Sequence, residues 1–135
     1  MSQESVENVE IVRETFDAIA RRDLDKLLGL ADPQIEWKSF FGLGRGSEYQ
    51  GHEGVRQYLS DLGEAWETLR PVIDNVLVVG GLVIGVGSIH YRGKGSGVDA
   101  RAAAGWVFKL RDGKVILFRA FKDPEQALEA VGLAE

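Results

Sequence analysis

Residues 71–90, PVIDNVLVVGGLVIGVGSIH, decide the fold of this chain. Valine and isoleucine are frequent in both halves of the stretch, and β-branched side chains favour extended strands. Gly80-Gly81 lies between the halves, where two glycines permit the backbone angles of a two-residue hairpin turn. The stretch therefore predicts two antiparallel strands, at residues 72–79 and 82–92.

The predicted sheet continues toward the C-terminus. A glycine-rich loop at residues 93–97 leads into a third strand at 99–110. Asp112-Gly113 is a second hairpin signal, and it predicts a last strand at 115–122. Upstream, Ile35 and Trp37 alternate with polar residues, which is typical of a short additional strand.

Helical periodicity covers the N-terminal half of the chain. Apolar residues recur at steps of three and four within residues 6–19, 24–28 and 55–69, which predicts three helices. We expect Pro71 to end the third helix, because the residue before a proline avoids helical geometry. A loop containing Gly42, Gly44 and Gly46 precedes that helix.

A short fourth helix is predicted near the C-terminus. Asp123 is a suitable cap, and Pro124 fits the first helical turn. Helices that precede an antiparallel meander predict an α+β fold. We expect a cone in which three N-terminal helices and a short C-terminal helix wrap a curved antiparallel or mixed sheet. A cavity between the helices and the sheet is the expected place for a ligand.

Composition narrows the class of function. The chain has 135 residues, no cysteine, two histidines and a formal charge of −5. A single domain over residues 1–135 is expected. Without cysteine there is no disulfide and no thiolate nucleophile, and the histidine spacing does not suit a metal. We expect neither a metal nor a cofactor. The acidic balance makes nucleic acid an unsuitable partner.

The start of the chain, MSQESVENVE, lacks the basic and apolar parts of a signal peptide. The most apolar run, residues 76–86, is far short of the roughly 20 residues that span a bilayer. We therefore expect a cytoplasmic protein without a membrane partner.

Three stretches carry a family resemblance: residues 16–25 (FDAIARRDLD), 49–56 (YQGHEGVR) and 108–115 (FKLRDGKV). They resemble the SnoaL-like, or polyketide cyclase-like, branch of the nuclear transport factor 2-like superfamily. The resemblance covers nearly the whole chain and implies a cystatin-like cone. It does not fix a reaction, because one fold supports many chemistries.

Two chemistries of the superfamily lack their signature acids here. The resemblance places the carboxylate base of ketosteroid isomerases at Trp37 or Lys38. It places one acid of the limonene epoxide hydrolases at Ala120. Trp37 or Lys38 in place of a carboxylate weakens the isomerase interpretation, and an alanine can neither donate nor accept a proton.

Counting outward from the turn at Asp112-Gly113 assigns the faces of the last two strands. Arg111 is expected opposite Lys114, Trp106 opposite Arg119 and Val107 opposite Phe118. One face is then expected to be an apolar surface for a homodimer, with Arg119 over the Trp106 ring. Its residues are Trp106, Phe108, Leu117, Arg119 and Phe121. The other face contains the epoxide hydrolase position and is expected to line the cavity. Its residues are Arg101, Ala103, Gly105, Val107, Phe118 and Ala120.

The candidate catalytic residues are His90, Asp99 and Arg101, expected near one cavity. His90 is the best candidate for proton transfer, because imidazole titrates near neutrality, and Arg101 would orient a carbonyl or an anion. Each also has a structural interpretation, such as an Arg101–Asp99 ion pair. The remaining candidates are expected to line a pocket for a ligand: Trp37, Tyr49, His52, Tyr58, Ala103, Val107, Phe118 and Ala120.

Two functional hypotheses follow. The first is a small-molecule-binding protein that acts on a hydrophobic substrate by cofactor-free acid–base chemistry, as an isomerase, cyclase or hydrolase. The second is a non-catalytic module that binds a ligand or dimerises.

Overall fold

The computed structural model describes residues 2–39 and 48–132, so the predicted loop at 42–46 lies outside the described residues. The helices of the described part are α1 (Gln3–Arg21), α2 (Leu24–Leu30), α3 (Gly51–Ala65) and α4 (Pro124–Ala130). The strands are β1 (Ala31–Lys38), β2 (Glu48–Gln50), β3 (Trp66–Val79), β4 (Leu82–Gly93), β5 (Asp99–Arg111) and β6 (Lys114–Phe121). The predicted α+β cone is confirmed.

The strands form one mixed sheet in the order β2-β1-β6-β5-β4-β3. β1 runs parallel to β6, and the other neighbouring pairs are antiparallel. No helix in the described part is both long and apolar enough to cross a bilayer.

Both predicted hairpin turns are confirmed. Gly80-Gly81 joins β3 to β4, and Asp112-Gly113 joins β5 to β6. Asp112 and Gly113 have φ angles of 52° and 76°. Two consecutive positive φ angles match the twist of the flanking strands.

The predicted end of the third helix is wrong. α3 ends at Ala65, and Trp66 already lies in β3. Leu69 is buried opposite Tyr91 of β4, so pairing within the sheet overrides the helical spacing of the apolar residues. Pro71 lies inside β3, where a proline is tolerated because this strand is at the edge of the sheet.

The predicted register of the last hairpin holds only next to the turn. Arg111 lies opposite Lys114, but a bulge follows between Lys109 and Leu110. Because a one-residue shift moves side chains to the other face of one strand, the partners beyond the bulge change. The actual pairs are Trp106 with Ala120, Val107 with Arg119 and Phe108 with Phe118.

The inner face of the sheet, defined here as the face packed against α1 and α3, therefore carries Trp106 and Phe108. Phe16 of α1 contacts both edge-on, with ring centroids 4.9 and 5.2 Å away. Both residues are buried, so their assignment to an exposed dimer surface is wrong.

The outer face, on the other side of the sheet, is covered in part by α4. Val107 packs there with Ile84, Phe121 and Ala127. The short helix approaches closely because β5 has a glycine below it. A Cβ atom at Gly105 would lie 2.8 Å from the Ala127 Cβ atom.

Arg119 also belongs to the outer face. Its guanidinium lies 4.6 Å from the centroid of the Phe121 ring. The expected pair of Arg119 with Trp106 is wrong, because the bulge places the two side chains on opposite faces of the sheet.

Candidate functional site

Aromatic side chains fill the inner face where β1, β6 and α3 meet. The Trp37 ring stacks on Phe118 at 4.0 Å with an interplanar angle of 12°. Tyr58 of α3 lies 4.9 Å from Trp37, and Tyr49 lies 5.6 Å from Tyr58. Trp37, Phe118 and Tyr58 are almost fully buried. The four residues form one apolar wall, which we call the aromatic cluster.

The Tyr58 hydroxyl is a buried polar atom within this cluster. Burial raises the pKa of Tyr58 above its ordinary value, and the nearby Tyr49 acts in the same direction. A hydrogen bond with the Ser39 side chain lowers it only in part, as do the indole of Trp37 and the charge of Arg22. Tyr58 therefore stays protonated at neutral pH and remains a hydrogen-bond donor.

The indole nitrogen of Trp37 is near this hydroxyl. The indole N–H lies close enough to the Tyr58 oxygen to lower the pKa of Tyr58. The Trp37 Nε1 atom and the Tyr58 oxygen do not, however, have the geometry of a full hydrogen bond. Among the described residues, Trp37 Nε1 is a buried side-chain nitrogen without a hydrogen-bond partner. A buried donor without an acceptor costs about 1–3 kcal/mol. Within the described part of the chain, the inner face thus holds a buried donor without an acceptor.

A buried carboxylate lies one helical turn beyond Tyr58. Asp61 is 4% exposed. Tyr49 Oη donates a hydrogen bond to its Oδ2 at 2.6 Å, and Gln57 Nε2 donates to its Oδ1 at 2.8 Å. Neither Asp61 nor Ser39 is among the residues predicted from the sequence. The signal for Asp61 was its spacing, because residues three apart on a helix share a face.

Two cavities open at this end of the sheet, and most residues in their walls, such as Lys38 and Arg119, belong to the outer face. One, of about 280 Å³, has Ser39 and Ala120 in its wall. The other, of about 330 Å³, has Tyr49 and Lys38 in its wall. Both are near the lower end of the usual size for a ligand pocket, roughly 300–1,000 Å³. A small ligand, or one end of a larger one, fits either.

A second polar group lies on the outer face. His90 of β4 is directly opposite Arg70 of β3 and Arg101 of β5. With Asp99, these residues line a cavity of about 680 Å³. Asp99 forms an ion pair with Arg92, whose Nε lies 3.4 Å from Asp99 Oδ1.

Sequence comparison identifies the family that this cone belongs to. The profile of the SnoaL-like domain matches residues 12–118, which is most of the chain. The chain belongs to the SnoaL-like family. A comparison with curated protein sequences finds no match.

Solved structures agree with this membership of the SnoaL-like family. A nuclear transport factor 2-like protein of unknown function from Burkholderia pseudomallei superposes with a TM-score of 0.78. It is 22% identical, over 98% of this chain and 99% of that one. A Jannaschia protein named as a SnoaL-like polyketide cyclase has a TM-score of 0.76 and 26% identity, over 99% and 94% of the two chains.

A third structure of similar fold is that of an LEH-like epoxide hydrolase from Mycobacterium tuberculosis. It is 15% identical, over 92% of this chain and 88% of that one, with a TM-score of 0.71. At this identity the likeness shows the fold alone. The shared architecture of these proteins is the nuclear transport factor 2-like cone.

The structure brings together five of the expected pocket residues on the inner face of this SnoaL-like chain. Four form the aromatic cluster, and Ala120 lies opposite Trp106 on the same face. The other three lie elsewhere. His52 Nε2 donates to the Ala31 carbonyl at 2.9 Å, at the start of α3. Ala103 and Val107 lie on the outer face, so their expected place beside Phe118 is wrong.

His90, Asp99 and Arg101 line one cavity, but the expected sharing of that cavity with Phe118 and Ala120 is wrong, because these two residues lie on the inner face. Because this cavity includes outer-face residues, it is not the space beside the aromatic cluster. The catalytic role of the three residues stays a prediction. Among the described residues, no group of three or more His, Asp or Glu side chains is arranged to hold a metal ion.

Proposed function

We propose that this SnoaL-like protein binds a hydrophobic carbonyl compound and moves a proton on it without a cofactor. The observation that carries the proposal is the unpartnered indole N–H of Trp37 beside the buried hydroxyl of Tyr58. Two donors that converge in a water-poor site favour an oxygen that gains negative charge during a reaction.

Trp37 and Tyr58 would stabilise an enolate oxygen. Tyr58 suits this role because its raised pKa keeps the proton on the phenol oxygen while it donates. In the free protein the Tyr58 hydroxyl bonds to Ser39. Since Ser39 lines the cavity of about 280 Å³, a carbonyl oxygen would enter from that side.

Tyr49 and Asp61 would take the proton from the carbon next to the carbonyl. That proton passes to the Tyr49 oxygen as the Tyr49 proton passes along the 2.6 Å hydrogen bond to Asp61. The electron pair of the broken C–H bond forms the enolate. Gln57 holds the second carboxylate oxygen and so fixes the orientation of Asp61.

The substrate class follows from the walls of the site. The aromatic cluster favours a flat, apolar body over a sugar or a phosphate. The Jannaschia relative, named as a polyketide cyclase, supports a polyketide-like carbonyl compound as the substrate here. Enolate formation would then lead to isomerisation or ring closure.

The test uses 2-tetralone, a flat aromatic ketone, and follows exchange of its α-hydrogens with deuterium in D₂O by proton NMR. We expect the wild-type protein to accelerate exchange above the buffer rate. Tyr58→Phe removes one oxyanion donor and should lower the enzymatic rate about 100-fold or more.

Tyr91→Phe is the matched control, since Tyr91 packs against Trp66 and not against the aromatic cluster. It should leave the rate unchanged. Exchange at the buffer rate with wild-type protein would contradict the proposal, as would full activity of folded Tyr58→Phe.

The second candidate function is a non-catalytic ligand-binding or dimerisation module. The stack of Trp37 on Phe118, with Tyr58 beside it, favours this candidate because the aromatic rings occupy the inner face. Binding of 2-tetralone without any acceleration of exchange would support it over acid–base catalysis.

For either function we propose a homodimer through the outer face. Leu77 and Val79 are exposed there at 37% and 40%, and Ala103 is also exposed. Sedimentation should report a dimer that Leu77→Glu dissociates. A wild-type monomer at high concentration would contradict the dimer.

A further inference from the structure

Basic side chains lie side by side on the outer face of a chain that is acidic as a whole. Arg70, His90 and Arg101 stand directly opposite one another on three neighbouring strands, while the formal charge of the chain is −5. Arg70 and Arg101 carry like charges on one face with His90 between them, and such charges repel one another. An arrangement of this kind is relieved when an anion binds between the side chains.

Arg70 and Arg101, on either side of His90, form no ion pair with an acidic side chain among the described residues. The acids at this end of the sheet, Asp99 and Glu67, instead lie 3.4 and 3.8 Å from Arg92 Nε. The guanidinium groups of Arg70 and Arg101 therefore keep their donors for a ligand. Arginine matches a carboxylate with two parallel hydrogen bonds.

The remaining wall of the same cavity is less polar. Thr68 lines it from the outer face, and Ala20 of α1, Tyr91 and Ala100 line it from the inner side of the sheet. The volume of about 680 Å³ exceeds what a small inorganic ion needs. A cavity of this size suits a carboxylate with an organic body better than a free oxyanion.

We propose that Arg70, His90 and Arg101 form a binding site for an organic carboxylate on the outer face of the sheet. The carboxylate lies between the two guanidinium groups over His90, and the apolar body lies along the same face toward Ala103, the next outer-face residue of β5 after Arg101. This site is separate from the aromatic cluster, so it exists whether or not the protein catalyses a reaction there.

The experiment titrates the wild-type protein with benzoate by calorimetry and by NMR shifts of backbone amides. Benzyl alcohol, which has the same ring without the charge, and inorganic phosphate are titrated in parallel. We expect benzoate to bind, with shifts centred on β3, β4 and β5 around His90, and to bind more tightly than either alternative. Sedimentation with and without benzoate reports the oligomeric state during the titration.

Arg70→Gln and Arg101→Gln should each weaken benzoate binding about tenfold or more, because each removes a charged donor. Arg111→Gln is the matched control. It removes the same charge from the other end of β5 and should leave binding unchanged. Asp99→Asn should strengthen binding, because it removes the acid that lines the cavity.

Three results would overturn the proposal. Benzyl alcohol binding as tightly as benzoate would show that charge is not recognised. Phosphate binding more tightly than benzoate would assign the site to a free oxyanion. Equal binding by the Arg101→Gln and Arg111→Gln proteins would show that the anion responds only to overall charge. None of these measurements depends on the exchange of 2-tetralone.

Discussion

The two faces of the sheet have opposite character. On the inner face, the polar atoms of Tyr58 and Asp61 are buried among aromatic rings and hydrogen-bond to other side chains. On the outer face, the side chains of Arg70 and Arg101 are exposed beside an open cavity. Buried polar groups that are held in place suit chemistry, and exposed basic groups suit binding of an anion. This contrast supports the two proposed tasks, proton transfer on the inner face and anion binding on the outer face.

The largest expected effect concerns the packing of the inner face. Trp37→Ala removes the ring that stacks on Phe118 and should lower the free energy of unfolding by about 3–5 kcal/mol. Lys109→Ala, at an exposed position on the outer face, should lower it by less than about 1 kcal/mol. Urea unfolding of both variants measures the difference. Equal losses would show that the two faces are equally well packed.

The next effect concerns the helix on the outer face. Gly105→Val places atoms where Ala127 and Pro124 now pack, and it should cost about 1–3 kcal/mol. Amide exchange should show that α4 loses protection first.

Gly29→Ala is the control for this substitution, since a Cβ atom at Gly29 meets nothing within 4 Å. It should leave stability unchanged or raise it by up to about 1 kcal/mol. A Gly105→Val protein as stable as the wild type would mean that α4 is not held against the sheet.

The smallest expected effect is a pH dependence from the inner face. The pKa of folded Tyr58 is raised above the ordinary value of 10.0, so the folded state retains a proton that the unfolded chain loses. The stabilisation is complete below pH 10 and is lost as the pH rises above it. The slope is at most about 1.4 kcal/mol per pH unit.

Unfolding by urea between about pH 9 and about pH 11 measures this slope. Tyr58→Phe should unfold with a smaller loss over the same range, because it has no proton to release at this position. An identical pH dependence in the two proteins would contradict the burial of a protonated Tyr58.

The elements of the fold could be predicted because their signals are local. Asp112-Gly113 and Gly80-Gly81 have the backbone freedom that tight turns need, and Asp123 caps α4 through a hydrogen bond from Glu125 N. The bulge near Lys109 could not be predicted. The bulge depends on how β5 packs against β6 and the helices, and no residue type at that position indicates a bulge.

The candidate site was predictable only in part for the same reason. Tyr49, Tyr58 and Trp37 were recognisable as aromatic residues at spacings that favour burial. Asp61 was missed because a single acid beside an apolar helical stripe usually lies in solvent. Asp61 can be buried because the Tyr49 hydroxyl, which belongs to β2, donates a hydrogen bond to its carboxylate.

The central claim is that Trp37 and Tyr58 present two donors to one ligand oxygen. A crystal structure with bound 2-naphthol, a flat aromatic compound with one hydroxyl, tests it most directly. We predict that the naphthol oxygen lies within hydrogen-bond distance of both Trp37 Nε1 and Tyr58 Oη. Naphthol bound only on the outer face, with Trp37 still stacked on Phe118, would contradict the claim.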